Sequence, residues 1–459
     1  MANLTNVRPF GMRDKIAYAF GDVANDCTFI LSSTFLMKFY INVMGVESWI
    51  VGVMMMVARI VDAFTDMTMG RIVDLSRPTK AGKFRPWILR GSGLVAVASF
   101  LMYAIWLKDA SMTVKLVWMF ATYLLWGSVF YTMVNIPYGS MASAITTDPT
   151  QRTQLSVYRN AGATVAGLII GAGIPVVVYN ADGSLSGEKF AVMAAVMSVL
   201  AVICYLICYF GSCERVKFER PEKTANAPKT NFLKNLVTNR ALLAIILAAI
   251  CLLLSQLTLS GMSQYIFPDY YHNPDAVSLS SFLGNIAILA LAFVATPLSK
   301  RYGKKEISIV GMLLSTVSFV VCFLLRPENV WVFTVFYVIA YLGLGVFNTV
   351  IWACIVDVID YGEVKNGVRE DGTTYACYSF ARKLGQAASS GLTGGLLSLV
   401  GYTELTRTDP TVLDGVFHIT CIVPIVGFLL VALVLIFLYP LSKNVVEANS
   451  AELARRRAQ

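Results

Sequence analysis

Long apolar segments recur along the whole chain, separated by short polar stretches. Two of them, "LLAIILAAICLLL" and "CIVPIVGFLLVALVLIFLY", are continuous hydrophobic runs without strand-like alternation. A helix crosses a bilayer with about 20 mostly apolar residues, and continuous runs favour helices over a membrane β-barrel. The pattern predicts an all-α polytopic membrane protein with twelve transmembrane helices. The predicted spans lie near 14–42, 47–74, 86–107, 114–144, 154–179, 189–211, 241–264, 278–298, 306–326, 329–358, 374–401 and 413–440.

Composition and the placement of basic residues support this class. Hydrophobic residues make up 56% of the chain and charged residues only 14%, whereas a soluble domain carries about 25% charged residues. With the N-terminus inside, most of the 37 Lys and Arg residues fall in cytoplasmic loops and tails. This positive-inside bias predicts that both termini are cytoplasmic, and for a bacterial source it predicts the inner membrane. Topology therefore explains the net charge of +9, and we expect no nucleic-acid partner.

A basic central stretch, "CERVKFERPEKTANAPKTNFLKNLVTNR", divides six predicted spans from six. The two halves share local patterns, since "YLLWGSVFYT" (123–132) resembles "YLGLGVFNT" (341–349). Such echoes predict two pseudo-symmetric six-helix bundles with a substrate site at the midplane between them. The predicted parts are an N-terminal bundle (1–211), a cytoplasmic linker (212–240), a C-terminal bundle (241–440) and a cytoplasmic tail (441–459).

Two carboxylates occur at membrane depth in the second predicted span, "RIVDAFTDMTMG" (59–70). The i, i+4 spacing of Asp62 and Asp66 places both on one helix face, about one turn apart. Like charges this close repel, and burial adds to the cost. They are tolerated inside a membrane when they face a cavity and gain something positive. We therefore predict an exchangeable cation site for H⁺ or Na⁺, to which Thr65 and Thr132 add hydroxyls.

A static salt bridge is the alternative interpretation of these acids. It would pair Asp62 or Asp66 with Arg59 or with Lys383. Lys383 lies in "YSFARKLGQ" of the eleventh span, where its ammonium group is predicted to link the cation site to the substrate. The alternative for Lys383 is a lysine that extends along the helix to the membrane interface.

Polar and aromatic residues of other spans form a candidate sugar site. Sugars are bound by aromatic faces together with directional donors and acceptors, and an Arg fork or an Asn amide satisfies paired hydroxyls. Ordinary helix packing or an interfacial belt is the alternative for the aromatic residues. The candidate substrate-binding residues are Asp26, Trp126, Tyr131, Asn135, Arg159, Arg382 and Lys383.

The loop after the second span, "GRIVDLSRPTKAGKFRP", is predicted to form a cytoplasmic latch with Asp74 and Arg85 as gating residues. No nucleophile or metal-ligand pattern is present, so we do not expect an enzyme, a structural metal or a cofactor beyond the coupling ion. The expected partners are a small-molecule sugar and the lipid bilayer, and the chain is expected to be monomeric or weakly associated. A passive sugar facilitator is the alternative to a symporter.

Several motifs together resemble those of the glycoside–pentoside–hexuronide:cation symporters, which belong to the major facilitator superfamily. They are "GDVAND", "ARIVDAFTDMTMGRIVD", "GKFRPWIL", "YTMVNIPYGS", "DPTQRTQL" and "ARKLGQ", and the resemblance runs from about residue 12 to 440. It implies the major facilitator fold and cation-coupled sugar transport. Within the family, the chain resembles glucuronide carriers more than melibiose permeases.

The resemblance also implies roles for individual residues, and the chain departs from the family pattern at two of them. Cation binding is implied for Asp62, Asp66 and Thr132, and substrate binding or coupling for Asp26, Tyr131, Arg159 and Lys383. Asn135 replaces a sugar-binding aspartate, and Thr65 replaces an asparagine of the cation site, which argues against sodium. Losing an acid while Arg382 precedes Lys383 suits an anionic sugar, because a buried uncompensated acid is costly. The predicted cargo is a glucuronide, hexuronide or sulfonated sugar, with a neutral galactoside or pentoside as the alternative.

Overall fold

The computed structural model describes residues 8–180, 183–216, 239–366 and 371–458. Most of the predicted cytoplasmic linker lies outside the described residues. Two compact units divide the chain: Met1–Ala225 with Leu397–Arg407, and Asn226–Leu396 with Thr408–Gln459.

Six long helices form the first unit. They are α1 (Met12–Asn42), α2 (Ser48–Leu75), α3 (Arg85–Leu101), α4 (Met112–Ile145), α5 (149–178) and α6 (Gly187–Gly211). Helix α4 contains a π-helical segment, Leu125–Tyr131, and α5 contains another, Ile169–Gly173. Helix α1 packs against α5 and α6, α3 against α6, and α2 against α4.

The second unit repeats this arrangement. Its helices are α7 (Arg240–Tyr270), α8 (Asp275–Tyr302), α9 (Lys304–Leu325), α10 (Val330–Asn366), α11 (Asp371–Leu399) and α12 (Pro410–Leu438), followed by α13 (Lys443–Ala458). Helix α7 packs against α12, α9 against α12, and α8 against α10. Each pairing has a counterpart six helices earlier, which is the structural form of the echo seen in the sequence.

Apolar side chains face outward on these helices. Val117, Phe210, Val310 and Leu324 are among the large exposed hydrophobic residues, and a soluble monomer rarely exposes so much contiguous apolar surface. Within the described ranges, eight helices are long and apolar enough to cross a membrane by length and hydropathy alone. Helices α1, α2, α8 and α11 are not among these eight.

A buried carboxylate organises the start of α1. Asp14 has no exposed surface and accepts hydrogen bonds from Arg8 and Arg215, both at 2.8 Å, and from the Gly11 amide at 3.2 Å. An acid in the first helical turn is favoured by the helix dipole, and two arginines compensate its burial. The contact ties the chain after α6 to the beginning of α1.

Candidate functional site

The two acids of α2 contact two hydroxyls of α4. Ser128 Oγ donates to Asp62 Oδ1 at 2.5 Å, and Thr132 Oγ1 donates to Asp66 Oδ1 at 2.8 Å. Both contacts join residues 66 positions apart. The same i, i+4 spacing on two adjacent helices therefore makes a ladder with two rungs, the carboxylate–hydroxyl ladder. Thr132 was predicted here, whereas Ser128 was not.

Asp62 also forms an ion pair within its own helix. Arg59 Nη1 lies 3.2 Å from Asp62 Oδ2, and Asp62 is only 4% exposed. The guanidinium carbon of Arg59 lies 4.8 Å from the ring centre of Phe29 and 5.5 Å from that of Trp126. Aromatic faces hold a desolvated guanidinium by cation–π attraction. The structure thus contains the Arg59–Asp62 pair of the salt-bridge interpretation, while the contact described for Asp66 is with a hydroxyl.

Thr65, the third predicted hydroxyl, is directed at its own helix. Its Oγ1 donates to the carbonyl oxygen of Asp62 at 3.2 Å. The single O–H of this threonine is used by the hydrogen bond to the preceding turn of its helix. Thr65 therefore contributes less to the ladder than the hydroxyls of α4.

The π-helical segment of α4 accounts for an irregularity in the sequence echo. "YLLWGSVFYT" (123–132) has ten residues and "YLGLGVFNT" (341–349) has nine. The shorter version lies in α10, which is α-helical over Val330–Asn366, and the longer one contains the π turn Leu125–Tyr131. An inserted residue is accommodated as a π-bulge, and such bulges are frequent at functional sites. This one carries Ser128 and ends where Thr132 begins the next α-helical turn.

The two predicted aromatic residues of α4, Trp126 and Tyr131, pack against each other. The Tyr131 ring lies 5.4 Å from Trp126 and 6.0 Å from Phe29, centre to centre. Tyr131 is half-buried, but Trp126 has no exposed surface. Trp126 therefore packs against Arg59 and Tyr131, which agrees with the alternative of ordinary helix packing. Its ring is not accessible to a substrate in this structure.

Two predicted sugar-site residues, Asn135 on α4 and Arg159 on α5, form hydrogen bonds with α1. Arg159 Nε donates to Asp22 Oδ1 at 2.9 Å. Asn25 Nδ2 donates to Asn135 Oδ1 at 3.3 Å, and Tyr205 donates from its hydroxyl to Asn25 Oδ1 at 2.7 Å. These hydrogen bonds orient the Arg159 and Asn135 side chains toward α1.

Asp26 lies one helical turn from Asp22 on the same face of α1. Sequence reasoning selected Asp26 from the patch "GDVAND" and missed Asp22 and Asn25 of the same patch. The i, i+4 spacing of Asp22 and Asp26 repeats that of the α2 acids and was the available signal.

Arg382 and Lys383 belong to the second unit, on α11. The Arg382 guanidinium lies 5.4 Å from the ring centre of Trp352 and 5.9 Å from that of Tyr378. Both basic residues are half-buried. Cation–π contacts with these two rings orient the Arg382 guanidinium.

The predicted gating residues have separate partners. Arg85 donates to the Tyr209 carbonyl oxygen through Nε at 2.9 Å and Nη2 at 2.6 Å. Asp74 is 77% exposed in its side chain, with Lys83 Nζ 3.9 Å from its carboxylate. Both contacts lie inside the first unit, so the gating roles of Asp74 and Arg85 stay predictions.

Glu214 fixes the end of the loop that joins α2 to α3. Its carboxylate accepts hydrogen bonds from the backbone N–H groups of Lys83, Phe84 and Arg85 at 2.7, 2.9 and 2.8 Å. These amides begin α3, where N–H groups have no partner in the helix and the dipole favours an anion. A residue after α6 thereby caps α3.

Replacing Glu214 with alanine is expected to destabilise the protein. Three N–H groups would lose their acceptor, which costs about 1–3 kcal/mol, and the midpoint of thermal unfolding in detergent should fall. Glu188→Ala is the matched control, because Glu188 is an exposed acid in the first turn of α6 and accepts no such set of bonds. Equal midpoints for the two variants would contradict the capping role.

Comparison with known proteins agrees with this architecture. Two solved transporters share the fold: a bacterial homolog of the human lysosomal transporter Spinster, with a TM-score of 0.68, 11% identity, and coverage of 95% of this chain and 97% of the other; and the nucleoside transporter NupG, with a TM-score of 0.64, 12% identity, and coverage of 91% and 99%. At such identity the likeness shows the fold alone. The chain therefore has the all-α fold of these two proteins, as predicted.

Sequence comparison narrows the class. Residues 17–443 match the family described as MFS/sugar transport protein, and the chain belongs to that family. Its relatives include the glucuronide carrier protein homolog of Escherichia coli (32% identity, 97% of this chain and 96% of the relative) and the isoprimeverose transporter of Lactiplantibacillus pentosus (34%, 97% and 92%). A putative sulfoquinovose importer of Escherichia coli is 30% identical over 94% and 91%. These matches confirm the resemblance drawn from the motifs, and the chain is a sugar transporter and not an enzyme.

Proposed function

We propose that this chain is a cation-coupled symporter that imports an anionic glycoside by alternating access. The observation that carries the proposal is the carboxylate–hydroxyl ladder, in which Asp62 and Asp66 lie on one face of α2 and receive hydroxyls from α4. Two acids one turn apart at this depth are stabilised when a positive species is bound. Ion binding raises sugar affinity, and reciprocity requires that sugar raise ion affinity by the same factor.

The two acids have different parts in this proposal. Arg59 already neutralises Asp62, and Ser128 occupies its second oxygen, so a second cation there would meet a guanidinium at close range. Asp66 is half-buried where Asp62 is buried, and it is the exchanging acid in this proposal, with Thr132 beside it. The coupling ion is H⁺ or Na⁺: a carboxylate takes up either one, and the hydroxyl oxygen of Thr132 is an acceptor for both.

An anionic cargo is supported by charge as well as by the relatives' names. Asn135 contributes no charge, and Arg382 with Lys383 brings two positive charges on α11. Arg159 is partly committed to Asp22, but that bond uses Nε of a group with five N–H donors. Relatives are named for a glucuronide and for sulfoquinovose, so the proposed cargo class is a glucuronide, hexuronide or sulfonated sugar.

Two alternatives follow from specific observations. The isoprimeverose transporter is named for an isoprimeverose cargo, which favours a neutral glycoside or pentoside as the second candidate. A passive facilitator with the same fold would bind sugar without ion linkage. We further propose that the chain resides in the inner membrane as a monomer or weak oligomer with both termini cytoplasmic, in keeping with the distribution of its basic residues.

Uptake into vesicles reconstituted with the purified chain tests the proposal. Uronides, sulfonated sugars, galactosides and pentosides would be offered with an imposed proton gradient, a sodium gradient or neither. We expect uphill accumulation of an anionic sugar with one of the gradients. Accumulation of a neutral glycoside alone would overturn the cargo class, and gradient-independent equilibration of every sugar would indicate a facilitator.

A further inference from the structure

The hydroxyl of Thr132 contacts two acceptors at once. Its Oγ1 lies 2.8 Å from Asp66 Oδ1 and 3.1 Å from the carbonyl oxygen of Gly127. A threonine hydroxyl has a single O–H, so at any moment it donates to one acceptor and not to the other. Thr132 is 2% exposed, which keeps the choice between protein groups.

Whether Asp66 has bound a proton or a sodium ion decides which of the two acceptors the Thr132 hydroxyl bonds. An ionised Asp66 accepts from the Thr132 hydroxyl. A protonated Asp66 donates to Thr132 Oγ1 instead, and the Thr132 O–H then turns to the Gly127 carbonyl. A sodium ion on Asp66 has the same effect, since it needs a lone pair of the hydroxyl oxygen and repels the hydroxyl proton. The turn makes and breaks only hydrogen bonds, and the hydroxyl proton stays on Oγ1.

The second acceptor belongs to the π-helical segment. The Thr132 backbone N–H reaches the carbonyl oxygens of both Gly127 and Val129, so the π register and a tighter register compete for it. A side-chain hydrogen bond from Thr132 to Gly127 joins the same two residues as the π bond. It therefore favours the π register when an ion is bound.

The segment held in this way carries Tyr131 of the candidate sugar site, and Trp126, which packs against the Tyr131 ring. Its middle is anchored independently, because Ser128 donates to Asp62 and Arg59 fixes Asp62. A change in the hydrogen bond between Thr132 and Gly127 therefore affects Tyr131, because the anchored Ser128 prevents the whole helix from shifting. Ordering the Tyr131 ring before the sugar arrives lowers the entropic cost of sugar binding.

We propose that Thr132 is the positioning residue that transmits ion binding at Asp66 to the sugar site, by turning its hydroxyl from Asp66 to the Gly127 carbonyl. The inference rests on the proposed function, namely on Asp66 as the ion site. It holds for either coupling ion and assigns the π-helical segment of α4 a part in coupling.

Thr132→Val tests the relay, because valine keeps the shape and removes the hydroxyl. Hydrogen exchange of the α4 amides 125–132 would be followed in the full chain with and without sodium, and at two pH values after correction for intrinsic exchange. We expect the wild-type chain to gain protection with the ion and the valine variant to gain none. Thr132→Ser should restore the response, since it restores the O–H.

Uphill uptake gives a second readout, with 4-nitrophenyl β-D-glucuronide as the probe. With Thr132→Val, the probe is expected to reach about the same concentration inside and outside the vesicles, a ratio of about one. Thr132→Ser should accumulate it. Thr122→Val is the matched control and should behave as wild type. Thr122 is also a buried threonine of α4, but it bonds the Trp118 carbonyl oxygen at 2.8 Å and contacts no acid.

Asp66→Asn separates the relay from the ion site. An ion response that persists in Thr132→Val but is absent in Asp66→Asn overturns the relay and leaves the proposed ion site standing. A response that persists in Asp66→Asn overturns both. The relay is supported if the response to the ion is lost in Asp66→Asn and in Thr132→Val and is recovered in Thr132→Ser.

Discussion

Asp66→Asn is expected to abolish uphill accumulation while sugar exchange across the membrane continues. Asparagine keeps the size of the side chain and still accepts a hydrogen bond from Thr132, but it neither takes up a proton nor attracts Na⁺ by charge. Without ion linkage the coupling free energy is zero. A tenfold proton gradient is worth about 1.4 kcal/mol, so one-to-one coupling in the wild type supports about tenfold accumulation. Reconstituted vesicles with imposed gradients measure the ratio directly.

Asp62→Asn provides the contrast, because Asp62 has a different partner. Removing its charge leaves Arg59 buried among aromatic rings without its carboxylate, and breaking a buried pair costs about 3–5 kcal/mol. We expect this variant to unfold at a lower temperature than Asp66→Asn, and the double variant Arg59→Gln/Asp62→Asn to recover part of the loss. Wild-type accumulation by Asp66→Asn, or equal stability of the two single variants, would contradict the roles assigned to the acids.

Much of this arrangement follows from spacing. The acids of α2 are four residues apart, and so are Ser128 and Thr132 of α4. Because the two spacings are equal, adjacent helices can form both hydrogen bonds of the ladder. The sequence identified three of these four residues. Ser128 was missed because a serine in a membrane helix usually bonds its own backbone.

Other features depend on tertiary structure that spacing does not contain. The extra residue in "YLLWGSVFYT" was visible, but whether it would form a π turn or shift the helix register depends on packing against α2. Asp74 lies in the last turn of α2 and Arg85 begins α3, and the partner of Arg85, the Tyr209 carbonyl on α6, is 124 residues away. The spacing of Asp22 and Asp26 was visible, but the ion pair of Asp22 with Arg159 was not, because the two residues are 137 positions apart.

The ion pair between Asp22 and Arg159 should control selectivity for the charge of the sugar. Asp22→Asn removes one negative charge beside Arg159 and keeps the acceptor oxygen, so binding of an anionic glycoside should tighten. Arg159→Gln should weaken it. The Arg159 side chain is 40% exposed, and screening reduces the Coulomb term, so we expect a change of about tenfold in each direction. Binding of a matched neutral glycoside should change less, which calorimetry on the purified chain would show.

The double variant Asp22→Asn/Arg159→Gln distinguishes charge from geometry. It restores the net charge of the pair, so a purely electrostatic effect predicts that affinity for the anionic glycoside returns toward the wild-type value. If Arg159 instead binds the acid of the sugar directly, affinity stays low, because glutamine lacks the guanidinium fork. Arg152→Gln is the control, since it removes the same charge from an exposed position on α5. Equal losses for the anionic and neutral sugars in Arg159→Gln would contradict the charge-based selectivity and favour a neutral cargo.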